Sequence, residues 1–187
     1  NRMPGIAVFS DDIRDGLKGS WANAKEPAFA AGYRGYDETI KFSVVAATQH
    51  DSIHYGLVKY VNFPYASQPS QVINYVSCHD DLCLVDKINY SSPYGATDLE
   101  KRKFNRISQS IVFLSQGVPF IYAGEELMRN KKGVHNTYQS PDSINQIDWN
   151  FKKTNLDMYN YYKGLIQMRK AHPAFRMSTT TELQRNL

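Results

Sequence analysis

Three short apolar runs in this chain share one design, and that repetition constrains the fold more than any other feature. "GIAVF" (Gly5 to Phe9), "QVINYV" (Gln71 to Val76) and "VPFIYA" (Val118 to Ala123) each end abruptly in polar or acidic residues: "SDDIRD", "SCHDDL" and "GEE". Each is followed by an amphipathic stretch with helical spacing. The first is "DETIKFSVVAATQ", Asp37 to Gln49, after a long polar insertion. The second is "DLEKRKFNRISQSIVFLSQ", with Asp98 as its expected cap and Gly117 as its stop. The third is "NLDMYNYYKGLIQMRKA", Asn155 to Ala171, closed by His172-Pro173. Three consecutive strand–helix units predict an α/β fold with a parallel sheet. Continuous rather than alternating apolar strands predict that both sheet faces are covered. The polar strand exits then fall on one rim, where parallel sheets bind ligands.

The middle exit carries the densest chemistry. Adjacent carboxylates repel, so His79, Asp80 and Asp81 mounted together at the end of a buried strand cost stability unless something relieves the charge. Such clusters concentrate at functional sites. Aspartate also caps helices, and histidine often just satisfies a backbone group, so one exit alone leaves both readings open. Asp11, Asp12, Arg14 and Asp15 alternate acid with base and predict a salt-bridge set at a helix start rather than a metal site.

Composition narrows the class. With 187 residues, 42% hydrophobic and 21% charged, the chain is sized for one ordinary domain or a large piece of a bigger one. No apolar run is long enough to cross a bilayer. The net charge of +4 is spread out, without the basic and aromatic stripe of a nucleic-acid groove. Cys78 and Cys83 are too few for a disulfide framework or a zinc set; Cys78 is expected to pack as a small hydrophobe. The opening Asn1-Arg2-Met3-Pro4 lacks the succession of a signal peptide and reads as a cut. Localisation is not legible.

"NYVSCHDDLCLVDKI" resembles the conserved region of the α-amylase superfamily in which a strand of a (β/α)8 barrel ends in histidine and aspartate. "MPGIAVFSDDIRDGLKGS" upstream, then "QGVPFIYAGEELMR", "NTYQSPDSINQIDW" and "MRKAHPAFRM" downstream, are similar in this order to the pullulanase branch, the type I debranching enzymes. The resemblance implies a partial (β/α)8 barrel, about the sixth to eighth βα units. Residues 1–172 would be the C-terminal portion of the catalytic barrel, and 173–187 would start the connection to a C-terminal β-domain. It further implies retaining hydrolysis of α-1,6-glucosidic branch points in pullulan, glycogen or amylopectin, with no cofactor needed for the chemistry and calcium conceivable only in the parent protein.

On that resemblance Asp80 takes the role of the carboxylate that stabilises the transition state, and His79 hydrogen-bonds the same sugar. Asp81 stands where these enzymes usually carry a substrate-contacting asparagine. Asn136 matches a substrate-contacting position, with Tyr138 near it; by residue type alone their loop, "HNTYQSPDSINQIDW", reads equally as a sugar surface or a solvated turn. Glu125 would be structural. The nucleophile and the general acid of the family lie before "MPGIAVF", so the piece alone is expected to be inactive and, with its barrel cut open, to self-associate. A non-catalytic glucan-binding module is the alternative. A flavodoxin-like domain would need a glycine-rich phosphate loop where "FSDDIRDG" is acidic.

Overall fold

The computed structural model describes residues 3–187. Three strands form one parallel sheet in the order β1 (Val8–Phe9), β2 (Val72–Asn74), β3 (Val118–Pro119). Val8 and Phe9 pair with Val72 and Ile73, and Ile73 and Asn74 with Val118 and Pro119. The first and third strands are therefore the outer ones. The ladders are shorter than the apolar runs. One further bond continues each, from Ser10 N–H to Ile73 O (3.0 Å) and from Phe120 N–H to Asn74 O (2.8 Å), and Pro119 has no N–H to offer.

Each strand is followed by more helix than the sequence pattern predicts. The α1 helix (Asp11–Lys18) starts directly at the first exit, and α3 (Leu84–Ser91) at the second. The helices expected in those two units are α2 (Asp37–Val44) and α4 (Asp98–Leu114). After β3 come two single-turn helices, α5 (Asp142–Asn145) and α6 (Phe151–Thr154), then α7 (Leu156–Ala171), which matches the expected third helix and ends at His172. A final helix, α8 (Thr180–Asn186), packs back on the chain before β2: the Thr180 hydroxyl donates to Ser67 O (2.7 Å) and Leu183 is buried.

Three boundaries differ from expectation for local reasons. The α2 helix stops at Val44 instead of Gln49 because Ala46 and Ala47 adopt positive φ (54° and 50°). The cap of α4 is Thr97, not Asp98: its hydroxyl accepts from Glu100 N–H (3.3 Å), while Glu100 accepts from Thr97 N–H (2.8 Å). Gly117 lies beyond the helix end, where φ is 90° and a Cβ would stand 2.9 Å from Val72 O. It allows the backbone to swing against β2.

The expectation of two covered faces does not hold within this chain. Side chains alternate along a strand, so Val72, Asn74 and Val76 share one face, and all are fully buried. Val76 packs with Ile13, Leu17, Ile40, Ile88 and Val112 from four helices, and Val72 with Phe42, Val45 and Ala46. The opposite face is open, with Phe9 47% and Val118 44% exposed. Phe9, Tyr75 and Phe120 stack edge to face across it, with ring centroids 5.0 to 6.4 Å apart.

Candidate functional site at the strand exits

The carboxyl ends of the three strands converge on one rim. At the first, Ser10 caps α1 by accepting from Ile13 N–H. Arg14 then forms the predicted salt-bridge set: its Nε lies 2.6 Å from Asp15 and its Nη1 3.0 Å from Asp11. That guanidinium also donates to the Tyr75 hydroxyl (2.8 Å), which donates to Asp11 (2.7 Å), so the first exit is tied to the second strand. Asp12 stands apart from this set. It is buried and accepts from Val61 N–H (3.0 Å), and burial raises its pKa above the usual carboxylate range.

At the second exit the backbone leaves the sheet through buried Tyr75, Val76 and Ser77, and the titratable cluster then divides. The side chains of His79 and Asp80 are 78% and 59% exposed, with Nε2 and Oδ1 3.2 Å apart. Asp81 turns away: its φ is 58° and its side chain is only 18% exposed. Its Oδ1 lies 3.3 Å from His135 Nε2, on the loop that follows β3. The two aspartates thus point apart, each beside a different histidine. Cys78 is half-buried, its Sγ 3.8 Å from Asp80. Cys83 is buried at the start of α3, and burial pushes its thiol up to about 12.

At the third exit the two glutamates separate by burial. Glu125 accepts from the Ser77 hydroxyl, from Gln109 Nε2 (3.1 Å) and from Tyr122 N–H (3.1 Å). It is enclosed, and burial pushes its pKa up to about 7 against these bonds. This side chain braces the second exit against the third and faces no solvent.

The loop beyond is pinned at its flanks. Asp86 accepts from the amides of Lys131 (2.6 Å) and Gly133 (3.0 Å). The Asn145 amide donates to Thr137 O (2.8 Å) and Ser140 O (2.9 Å). Between these clamps Asn136 is exposed at φ 58°, and inside the second Tyr138 presents a ring that is 76% exposed. The structure thus brings His79, Asp80 and the 135–138 loop to one rim, joined through Asp81. Sequence reasoning missed His135 as a partner; its place beside Asn136 was the available signal. It also missed the buried lysines. Lys18 donates to Leu82 O (3.0 Å) and Lys87 to Ser20 O (2.9 Å), closing the chain behind the rim.

Among the described residues, no group of three or more His, Cys, Asp or Glu side chains is arranged to hold a metal ion, and no helix is long and apolar enough to cross a membrane.

No family model matches the chain. It is 39% identical to the pullulanase of Bacillus subtilis strain 168 over 186 residues, which is all of this chain and 24% of that protein. An isoamylase from a Flavobacterium species is 34% identical over 131 residues, 58% of this chain and 17% of the relative. Among solved structures, the type I pullulanase of Bacillus subtilis complexed with maltose superposes with a TM-score of 0.90 at 38% identity, covering 98% of this chain and 24% of that one. A pullulanase from Paenibacillus barengoltzii in complex with maltohexaose and α-cyclodextrin gives 0.88 at 40% identity, covering 97% and 27%. The chain spans about a quarter of the length of these pullulanases. The likeness read from the strand-exit motifs is therefore one of descent, and this chain is homologous along its whole length to a portion of the type I pullulanases.

Proposed function

We propose that this chain forms the sixth to eighth βα units of a (β/α)8 barrel in a pullulanase-like glycoside hydrolase acting on α-1,6 branch points of pullulan, glycogen or amylopectin. On this reading residues 1–172 are the C-terminal portion of the catalytic barrel, and 173–187 lead toward a C-terminal β-domain. The observation that carries the proposal is the His79–Asp80 pair. It is solvent-facing at the exit of the central strand of a parallel sheet, in a chain whose relatives of known structure include pullulanases solved with maltose and maltohexaose.

The chemistry follows from what each group can do. Retaining glycosidases pass through an oxocarbenium-like transition state between two carboxylates, one nucleophile and one acid and base. Asp80 is neither. Its exposed carboxylate accepts hydrogen bonds from sugar hydroxyls and sets negative charge near the developing positive ring, so its interaction strengthens as the ring distorts. His79 can donate and accept to hydroxyls of the same sugar. Asn136 offers an amide, and the Tyr138 ring offers a stacking surface for a pyranose face. Glu125, enclosed and bonded on both oxygens, is structural. No cofactor enters this chemistry.

In the full-length enzyme, Asp80→Asn should lower kcat on pullulan by about 10²-fold or more, the scale for losing one preorganised electrostatic group. Purified wild-type chain of these 187 residues should release no reducing sugar, because the nucleophile and acid are supplied by other parts of the barrel. An Asp80→Asn enzyme with wild-type kcat would refute the assignment.

A further inference from the structure

We propose that Asp81 and His135 form a positioning pair that sets where Asn136 stands over the glucan, so that Asp81 governs substrate affinity one step removed from the sugar. This rests on the glucan-hydrolase reading above and deepens it.

Direction comes first. In the run His79-Asp80-Asp81 the first two side chains face solvent, while the third enters the left-handed region and points back toward the loop after β3. Aspartate tolerates that backbone better than most residues, which accounts for a short polar residue at position 81. It does not account for a histidine 3.3 Å away on another loop. Chemistry supplies the second step. The resemblance places an amide at this position, which can both donate to and accept from a sugar hydroxyl. A carboxylate only accepts. The exchange removes a donor that could serve the substrate and leaves an acceptor suited to an imidazole N–H.

The third step is mechanical. The loop is fixed at one flank by Asp86, which holds the amides of Lys131 and Gly133, and at the other by Asn145, which holds the carbonyls of Thr137 and Ser140. Asn136 lies between these clamps, itself at φ 58°. His135 is its immediate neighbour, and the contact with Asp81 is what ties this middle stretch to the rim that carries His79 and Asp80. Releasing it would let His135 and Asn136 drift while both flanks, with Tyr138 held inside the second, stay in place.

The test uses the full-length enzyme with Asp81→Gly, Asp81→Asn, His135→Ala and the Asp81→Gly/His135→Ala double variant. Glycine at 81 keeps the positive φ without strain and removes the carboxylate, and His135→Ala, which breaks the same contact with position 81 intact, controls for the added backbone freedom. Asp81→Gly and His135→Ala should each raise KM for pullulan by about fivefold, with kcat changing less than KM, and the double variant should be no worse than the worse single one, as expected for two residues acting through one contact. Asp81→Asn should restore KM close to wild type, since the amide oxygen keeps an acceptor beside His135 Nε2. In parallel, both single variants should speed hydrogen exchange at the amides of residues 134–136. Additive effects on KM, an unchanged KM in His135→Ala, or unchanged exchange would overturn the pairing. If the wild-type enzyme does not cleave pullulan while exchange at 134–136 still responds to both single variants, the glucan reading fails and the brace stands.

Discussion

Replacing Glu125 with glutamine should abolish the pH-dependent effect that this residue has on folding. In the native structure burial raises this carboxyl from its ordinary 4.5 to about 7, outweighing the Ser77, Tyr122 and Gln109 hydrogen bonds and the nearby Lys18 charge, all of which favour the ionised form. A group whose folded pKa is raised stabilises the fold fully below its unfolded pKa and loses that contribution as pH rises through the folded one. The window is therefore from about 4.5 to about 7. A shift of roughly 2.5 units at about 1.4 kcal/mol per unit corresponds to about 3.4 kcal/mol across the whole window. Between pH 5 and pH 8 the loss is about 2.5 kcal/mol, because part has already occurred at pH 5. Glutamine carries no charge at any pH. Its carbonyl can accept from Gln109 and Tyr122, and its amide can donate to the Ser77 oxygen, which already accepts from Leu84 N–H at 3.3 Å. Urea unfolding of wild type and Glu125→Gln, followed by tryptophan fluorescence at pH 5, 6, 7 and 8, isolates this group by difference. The variant should gain about 2.5 kcal/mol on wild type between the extremes. A difference that stays flat over this range would mean that Glu125 is ionised throughout, and that its hydrogen bonds and Lys18 outweigh burial.

Other perturbations probe the packing behind the rim. A Cβ at Gly19, where φ is 92°, would stand 1.9 Å from Glu26 O, so Gly19→Ala should cost about 2–4 kcal/mol in chemical denaturation. An unchanged midpoint would show that the segment after α1 is packed differently. Val76→Ala removes two methyl groups from a site touched by four helices and should cost about 2–3 kcal/mol. The 187-residue chain alone exposes Phe9 and Val118 on an open sheet face with free outer edges, and light scattering at micromolar concentration should show self-association. A stable monomer without apolar dye binding would mean that the chain closes its own core.

The strands were legible because burial of a parallel sheet leaves a continuous apolar signature, and α4 and α7 because their periodicity runs for several turns. The start of α1 was legible from its clustered aspartates, but α3 and the extent of both helices were hidden for a physical reason. Each has eight residues, with apolar anchors at Ile13 and Leu17 or at Leu84 and Ile88, and the rest of each helix is mostly polar. What buries Arg14, Asp15 and Lys18 is not a local pattern. Arg14 depends on Tyr75 and Lys18 on the carbonyl of Leu82, both more than sixty residues along the chain. The early stop of α2 was equally hidden, since Ala46 and Ala47 are strong helix formers by intrinsic preference and take positive φ where the chain folds under Val72.

The candidate site shows the same division between residue type and direction. That titratable groups follow β2 could be read from "SCHDDL" directly, and the company of the other polar strand exits is what favoured a site over a simple helix start. Which way each group points could not be read, because it is decided by one backbone angle. Asp80 and Asp81 are chemically identical and adjacent, yet a φ of 58° at the second sends it toward His135 while the first stays at the solvent-facing rim beside His79. Identical neighbours can therefore hold different tasks in the proposed mechanism, one bearing on the sugar and the other on the loop that surrounds it. Exchanging the charges of the two positions separately, rather than deleting the pair, is the perturbation that resolves them: Asp80→Asn should act on kcat, and Asp81→Asn should leave the histidine contact in place and act on neither constant strongly.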